Sequence, residues 1–215
     1  MIKGIIFDLD GTLIDSMKIW YKADRQFLSE NGVTDPPEDI SERMKKMTVD
    51  SAAEYFISFF GLNVTKEYVI RRIEEIVSRE YHENIPLKPH VTETLDFLDK
   101  KGIPYGIATA TYKDLAWAVL KRCGIADRFR FVLTDAEYPT GKRHTEIFLG
   151  AAERLGFEPG EILVVEDSLH CIETAKRAGF ATAAVYEETA APDRDKIISL
   201  ADHYYDSLAG IEELV

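Results

Sequence analysis

An apolar run that begins at Ile2 opens the chain and leads directly into two carboxylates and a glycine. A short apolar run bounded by a turn residue is typical of a strand buried in a parallel sheet. Residues two apart on a strand point to the same side, so Asp8 and Asp10 can face one site. The carboxyl end of such a strand opens onto the crevice where α/β folds bind ligands. The pattern therefore predicts a strand that ends in a candidate site, followed by a turn at Gly11.

The hydrophobic period then changes to that of helices. Apolar positions spaced as on one helical face predict a helix over residues 16–31, which Gly32 ends. Three further helices are predicted in the segment that follows, over residues 39–46, 49–60 and 65–84. Residues 15–85 contain no convincing strand pattern, and we predict that this segment is an all-helical insert.

From Pro86 onward, strand and helix patterns alternate along the chain. The predicted strands span residues 103–109, 131–134, 162–165, 181–186 and 203–205. The predicted helices span residues 91–101, 113–123, 145–155, 168–178 and 193–201. Alternation of this kind implies a parallel sheet with helices on its faces. We predict an α/β fold in which a Rossmann-like, doubly wound core of residues 1–14 and 86–215 is interrupted by an inserted all-helical cap domain of residues 15–85.

Composition narrows the class of protein. The 215 residues are 46% hydrophobic and 30% charged, an ordinary balance for a globular chain. The formal net charge of −12 argues against a nucleic-acid partner, because such proteins need basic surface to displace counterions. An anionic substrate is still compatible with this charge, since local lysines and a bound cation can make one pocket positive.

The two cysteines, Cys123 and Cys171, are too few for a disulfide framework and fit a reducing compartment. The N-terminal residues enter a strand pattern at once, without the pattern of a signal peptide, and no apolar run is long enough to span a bilayer. We therefore expect a cytoplasmic enzyme without a membrane partner, present as a monomer or a weak homodimer.

Paired carboxylates at a strand end suit a hard cation such as Mg²⁺, with one carboxylate free to act as nucleophile or as acid and base. Asp8 and Asp10 have two other interpretations. They can form a turn with an Asx cap, and the same spacing occurs in sugar-nucleotide enzymes that bind metal. These residues alone favour catalysis without deciding its type.

Three further polar groups follow predicted strands or lie in the loops beyond them. Thr109 precedes a helix start, where its hydroxyl and free backbone N–H groups could hold a phosphate, although this residue taken alone favours an ordinary N-cap. Lys142 lies in a loop and could neutralise a phosphate, or it could be a solvated loop lysine. Glu166 and Asp167 follow an apolar strand, and two buried carboxylates there are costly unless paired or bound to metal. Ser168 is the predicted N-cap of the next helix.

The order of these groups along the chain is more informative than any one of them. The motif Asp8-Leu9-Asp10-Gly11-Thr12, then Thr109, then Lys142, then Glu166-Asp167 resembles the haloacid dehalogenase superfamily of phosphohydrolases. The helical insert after the first strand resembles the cap of the phosphoglycolate phosphatase and β-phosphoglucomutase branch. The resemblance covers nearly the whole chain.

The resemblance implies a mechanism for a Mg²⁺-dependent phosphatase. It implies that Asp8 attacks the substrate phosphorus and forms an aspartyl-phosphate, and that Asp10 protonates the leaving oxygen and then activates water. It implies that Mg²⁺ is held by the Asp8 carboxylate, the Asp10 backbone carbonyl and Asp167, with Glu166 assisting. The substrate implied is a small phosphorylated metabolite.

The resemblance also implies residues that bind the substrate. Thr109 and the Ala110 N–H would hold phosphoryl oxygens, and Lys142 would offset the crowded negative charge. Side chains of the cap near Trp20 and Lys45 would recognise the rest of the substrate.

The chain departs from the branch at two places. Lys142 is followed by Arg143-His144-Thr145-Glu146, where the branch carries Pro-x-Pro-Asp. Cys171 stands where the branch has glycine, and we interpret it as a packing residue. The neighbouring His170 could approach the site or lie on a helix surface.

Alternatives remain. A sugar phosphomutase resembling β-phosphoglucomutase would use a cap arginine and a cap histidine, where this chain has Val49 and Trp20; Thr12 also matches the phosphatases, because the mutase has valine there. A phosphonate-cleaving relative would need a cap lysine such as Lys45 or Lys46 to form a Schiff base. A non-enzymatic binding protein is favoured only if a catalytic carboxylate is missing, and none is.

Overall fold

The computed structural model describes residues 1–37, 39, 40, 43, 47, 49–134, 136–138 and 140–215, with the side chains of Trp20, Val49 and Asp50 left aside. The predicted helix over residues 39–46 falls largely outside the described residues. Lys45 and Lys46, named above as cap residues, also lie outside them.

Six parallel strands form one sheet. They are β1 (Gly4–Phe7), β2 (Tyr105–Ala108), β3 (Val132–Leu133), β4 (Ile162–Glu166), β5 (Ala181–Val185) and β6 (His203–Tyr205). Their order across the sheet is β3-β2-β1-β4-β5-β6, and each neighbouring pair is parallel. Strand β1 lies between β2 and β4. Since the three strands are parallel, their carboxyl ends lie side by side. The predicted Rossmann-like parallel sheet is confirmed.

The chain forms two compact units, one of residues 1–16 and 85–215 and one of residues 17–84. The predicted boundaries, after residues 14 and 85, differ from these by one or two positions. That the first unit acts as a catalytic core and the second as a cap stays a prediction.

The described residues of the second unit include three helices, α1 (Met17–Glu30), α2 (Val49–Phe60) and α3 (Lys66–Glu83). Their buried faces meet at aromatic side chains, with ring centroids of Phe27 and Phe56 5.7 Å apart. Arg72 on α3 holds Glu30 on α1 with two parallel hydrogen bonds of 2.7 and 2.8 Å. This fork geometry fixes the two helices against each other more specifically than a single-point ion pair would.

Five helices belong to the first unit. They are α4 (Val91–Lys101), α5 (Lys113–Arg122), α6 (Glu146–Leu155), α7 (Leu169–Arg177) and α8 (Arg194–Leu200). All five match predicted helices to within one or two residues, because each has an apolar face in a strongly periodic segment. One face of the sheet packs through Ile6 and Val164 into a buried cluster with Phe148 and Phe180. Gly106 is required in β2, since a Cβ atom there would lie 2.4 Å from the Phe131 ring.

Two details near the ends of elements differ from the predictions. Ser168 occupies the N-cap position of α7, but its side chain does not cap the helix. A short 3-10 helix over Leu208–Leu214, which was not predicted, covers α4, where the Thr94 hydroxyl donates to the Leu208 carbonyl at 3.2 Å. Among the described residues, no helix has the length and apolar character needed to cross a membrane.

His90 is the non-glycine residue with a positive φ among the described residues, at 66°. It stands at the N-cap of α4 without a capping side-chain bond and is exposed. A residue with a β-carbon costs about 1–2 kcal/mol in this left-handed region. Glycine avoids that cost but loses more conformational entropy on folding. We expect His90→Gly to raise the free energy of unfolding by about 0.5–1 kcal/mol, measured by urea denaturation.

A matched control is His144→Gly, because His144 is also exposed but has an ordinary φ of −117°. We expect no gain in stability there. A loss of stability in His90→Gly would show that the histidine side chain contributes more than its backbone strain costs.

Candidate active site

The first carboxylate of the predicted site is held directly beyond β1. The Asp8 N–H donates to the Val165 carbonyl at 2.9 Å, so the backbone of Asp8 is still anchored to β4. Its side chain is buried, with 5% of the residue exposed. The chain then reverses at Gly11, whose φ of 85° is accessible to glycine without strain.

Lys142 joins the first strand to the fourth. Its ammonium donates to Asp8 Oδ1 and to Glu166 Oε1, and all three side chains are buried. The second oxygen of Glu166 accepts from the N–H groups of Asp167 at 2.9 Å and Ser168 at 3.0 Å. The interpretation of Lys142 as a solvated loop lysine is therefore wrong, because its ammonium is buried and contacts two carboxylates.

Asp8, Glu166 and Asp167 form a group in which each residue offers one carboxylate oxygen, and these three oxygens lie within 4.8 Å of one another. Asp8 Oδ2 is fully buried and has no hydrogen-bond partner among the described residues. An orphaned buried carboxylate oxygen is costly unless a cation or a donor reaches it. Oxygen donors at this spacing are those that a hard divalent cation prefers, so these residues fit such an ion.

Burial and neighbouring charges shift the pKa values of this group. Burial raises the pKa of Asp8 to about 7, with repulsion from Glu166 and Asp10 in the same direction and Lys142 opposing. Burial and the neighbouring Glu166 also raise the pKa of Asp167 well above its usual value. Burial acts against the charged form of Glu166 as well, but the Lys142 ammonium outweighs it and lowers the pKa of Glu166. The group thus has more negative charge than Lys142 alone can neutralise.

Asp10 lies beside this group and is held by hydroxyls. Ser16 donates to Asp10 Oδ1 at 2.6 Å, while Thr111 and Thr109 donate to Oδ2, the latter at 3.4 Å. The carboxylate of Asp10 is not part of the group of three that could hold a metal. This agrees with the family resemblance, which assigns only the backbone carbonyl of Asp10 to the metal. Both of its oxygens accept hydrogen bonds, which fixes the orientation of a candidate acid and base.

Thr109 is not the N-cap of α5, a position that Tyr112 occupies, and its contact with phosphate stays a prediction. Its N–H donates to the Leu133 carbonyl at 3.0 Å, and its hydroxyl oxygen accepts from the Thr111 N–H at 3.0 Å in the manner of a local cap. The same hydroxyl also reaches Asp10, so Thr109 links the end of β2 to the first motif. Ala110 follows it and is exposed.

The remaining sequence candidates are placed as follows. Arg143 and His144 are exposed, and the Arg143 carbonyl accepts from Arg177 at 3.1 Å. The ring of His170 contacts the Ser168 hydroxyl at 3.1 Å and the Cys171 sulfur at 3.3 Å. Cys171 is buried in the core, as expected of a packing residue.

The assignment of two residues to substrate binding stays a prediction. Trp20 belongs to α1 in the other unit, and Lys45 lies outside the described residues. Thr12 is fully buried, and its hydroxyl has no hydrogen-bond partner in the part of the chain that the structure describes.

Sequence reasoning missed Ser16 and Thr111 as partners of Asp10. Ser16 begins the predicted helix over residues 16–31, and Thr111 lies just before the predicted helix over residues 113–123. Two hydroxyl residues close to the acidic motifs were the available signal, but hydroxyls near helix starts are common and do not identify a partner.

The family model of the haloacid dehalogenase-like hydrolases matches residues 5–185, which is most of the chain. The chain belongs to the haloacid dehalogenase-like hydrolase family. The resemblance inferred from the acidic motifs is confirmed. The matched range runs from β1 to the end of β5 and includes every residue of the acidic group.

Several members of the haloacid dehalogenase-like hydrolase family are similar over most of their length. The phosphorylated carbohydrates phosphatase of Thermotoga maritima is 28% identical over 83% of this chain and 82% of its own. Pyrophosphatase PpaX of Oceanobacillus iheyensis is 30% identical over 86% of this chain and 83% of its own. A solved structure from Thermotoga maritima, provisionally assigned as a β-phosphoglucomutase, is 25% identical with a TM-score of 0.84, covering 99% of this chain and 98% of its own.

Proposed function

We propose that this protein is a Mg²⁺-dependent phosphatase that hydrolyses a small phosphorylated metabolite through an aspartyl-phosphate intermediate. The observation that carries the proposal is the environment of Asp8. One of its oxygens contacts Lys142, and the other is buried without a partner beside Glu166 and Asp167. Phosphatases acting on phosphorylated metabolites are among the chain's relatives.

Asp8 is proposed as the nucleophile. A carboxylate oxygen of Asp8 attacks phosphorus, and the bond from phosphorus to the ester oxygen breaks on the opposite side. Asp10 gives its proton to that departing oxygen, so the substrate leaves as a neutral alcohol. Asp10 then accepts a proton from water, which attacks phosphorus and releases inorganic phosphate from Asp8. The hydroxyls of Ser16 and Thr111 keep Asp10 oriented for both steps.

Asp8, Asp167 and the Asp10 backbone carbonyl are proposed to hold Mg²⁺, with Glu166 assisting. When bound, the ion supplies positive charge that offsets the repulsion among these carboxylates and favours the ionised form of Asp8. Thr109 and the Ala110 N–H are proposed to hold phosphoryl oxygens. Lys142 contacts Asp8, and we propose that it balances the charge of an incoming phosphate.

The cap is proposed to recognise the part of the substrate beyond the phosphate, through Trp20 and Lys45. Free thiols at Cys123 and Cys171 support a reducing, cytoplasmic location for the reaction. A monomer or a weak homodimer stays our expectation for the assembly.

The proposal is tested by incubating the protein with a panel of phosphorylated sugars, sugar alcohols and hydroxy acids. We expect release of inorganic phosphate that stops when the metal is chelated, returns with Mg²⁺ or Mn²⁺, and is suppressed by excess Ca²⁺, whose looser geometry disturbs alignment. Undiminished turnover after exhaustive chelation, or no phosphate release from any ester, would contradict the proposal.

A sugar phosphomutase is the second candidate, favoured by the similarity to the Thermotoga maritima structure. Incubation with β-glucose 1-phosphate, a trace of the 1,6-bisphosphate and Mg²⁺ separates the two. We expect free phosphate to accumulate. Rapid formation of glucose 6-phosphate with little free phosphate would establish the mutase instead.

A further inference from the structure

Lys88 lies in the first unit, shortly before α4, and the proposed mechanism does not use it. Its side chain is 17% exposed. The ammonium donates to the Gly11 carbonyl at 2.6 Å, the Tyr186 carbonyl at 2.9 Å and Glu187 Oε2 at 2.7 Å. A lysine ammonium has three N–H donors, and these three bonds use all of them.

The Gly11 carbonyl lies one peptide beyond Asp10. Around it the backbone closes on itself, because the Gly11 N–H donates to the Ile14 carbonyl at 3.0 Å and the Leu13 N–H donates to Leu9 at 2.9 Å. Gly11 has no side chain that could pack to fix this peptide. The orientation of the turn therefore depends on its hydrogen bonds, and the Lys88 ammonium supplies one from outside the turn.

Lys88 is itself held firmly by two neighbours. Its own N–H donates to the Leu13 carbonyl at 3.0 Å, which ties its backbone to the same turn. Glu187 is buried, and its second carboxylate oxygen accepts from the Thr189 N–H at 3.3 Å. The ion pair between Lys88 and Glu187 thus connects the turn after β1 to the loop after β5.

We propose that Lys88 is a positioning residue for proton transfer by Asp10. By holding the Gly11 carbonyl, it sets the direction of the turn from which the Asp10 carboxylate projects. A displacement of a fraction of an ångström at a catalytic group is enough to lower its rate, because proton transfer requires close approach and alignment. This role rests on the proposed phosphatase function and adds a residue to it.

The test compares phosphate esters that differ in how much their departing oxygen needs a proton. An alkyl ester needs a proton on its departing oxygen, whereas 4-nitrophenyl phosphate releases a stable anion and needs little help. Loss of Asp10 alignment should therefore slow alkyl esters more than aryl esters. Loss of folded protein would lower both by the same factor, so the ratio of kcat/KM values separates the two causes.

The variant is Lys88→Met combined with Glu187→Gln, because Lys88→Met alone would leave a buried carboxylate unpaired. We expect the aryl-to-alkyl ratio of kcat/KM to rise by about 10- to 100-fold over the unmodified protein. Asp10→Asn should raise the same ratio at least as much. Thermal unfolding of each variant establishes that the assays are made on folded protein.

Glu187→Gln alone keeps the Lys88 ammonium and its bonds to both carbonyls, and we expect it to keep most of the original ratio. The proposal is overturned if the double variant keeps the original ratio, if both ester types slow equally, or if Glu187→Gln alone raises the ratio as much as the double variant. Absence of Asp8-dependent turnover of 4-nitrophenyl phosphate in the unmodified protein would instead contradict the phosphatase proposal itself.

Discussion

Replacing Asp8 with asparagine is expected to lower phosphate release by at least about three orders of magnitude. The amide cannot form an acyl phosphate, so the proposed reaction loses its first step. The exchange is nearly isosteric and removes one negative charge from a group in which burial, with added repulsion from Glu166 and Asp10, raises the pKa of Asp8 to about 7. We therefore expect the midpoint of thermal unfolding of the variant to be unchanged or higher.

Turnover of 4-nitrophenyl phosphate with Mg²⁺ and thermal unfolding measure the two effects. Asp127→Asn is a suitable control, because Asp127 is exposed on a 3-10 turn of the same unit. It should change neither activity nor stability. An Asp8→Asn protein that releases phosphate near the unmodified rate would remove Asp8 from the role of nucleophile.

Replacing Lys142 with methionine should have the second largest effect. The change leaves Asp8 and Glu166 buried without the ammonium that both contact. Breaking a buried charge network from one side costs about 3–5 kcal/mol of folding free energy. We also expect a fall of about 10²- to 10³-fold in kcat, since the positive charge near the phosphoryl group is lost. Urea denaturation without divalent metal measures the first effect.

Lys176→Met is the matched control. Lys176 pairs with Asp202 at 2.6 Å, but both side chains are about one-third exposed, so the loss should stay below about 1 kcal/mol. If Lys142→Met does not fold, the double variant Lys142→Met with Glu166→Gln restores charge balance and allows activity to be measured. A Lys142→Met protein as stable and as active as the original would show that the carboxylates do not depend on this lysine.

The sheet and its acidic residues could be predicted because the signals are local and strong. Strands β1 and β4 are apolar segments that end in carboxylates, and burial on both faces explains their composition. The rule that parallel strands present their carboxyl ends at one edge then brings Asp8 near Glu166 and Asp167. No contact had to be known in advance for that step.

The surroundings of Asp10 could not be predicted in the same way. Ser16, Thr111 and Lys88 reach the first motif from loops, whose paths follow no period in the sequence. A lysine or a threonine in a loop is more often solvated, so its residue type does not predict which group it contacts. Recognition of the substrate by Trp20 and Lys45 stays a prediction.

The central position of β1 has a consequence for how the chain folds. Phe7 pairs with Ile107 on one side and with Val165 on the other, so the first strand to be synthesised acquires both neighbours late. Contacts between distant parts of a chain form slowly, whereas the helices of residues 17–84 contact one another over shorter separations. Until β2 leaves the ribosome, β1 is an apolar segment with two open edges, and until β4 follows it keeps one open edge and a risk of aggregation. In refolding from urea, we expect helical signal to return before the active site does.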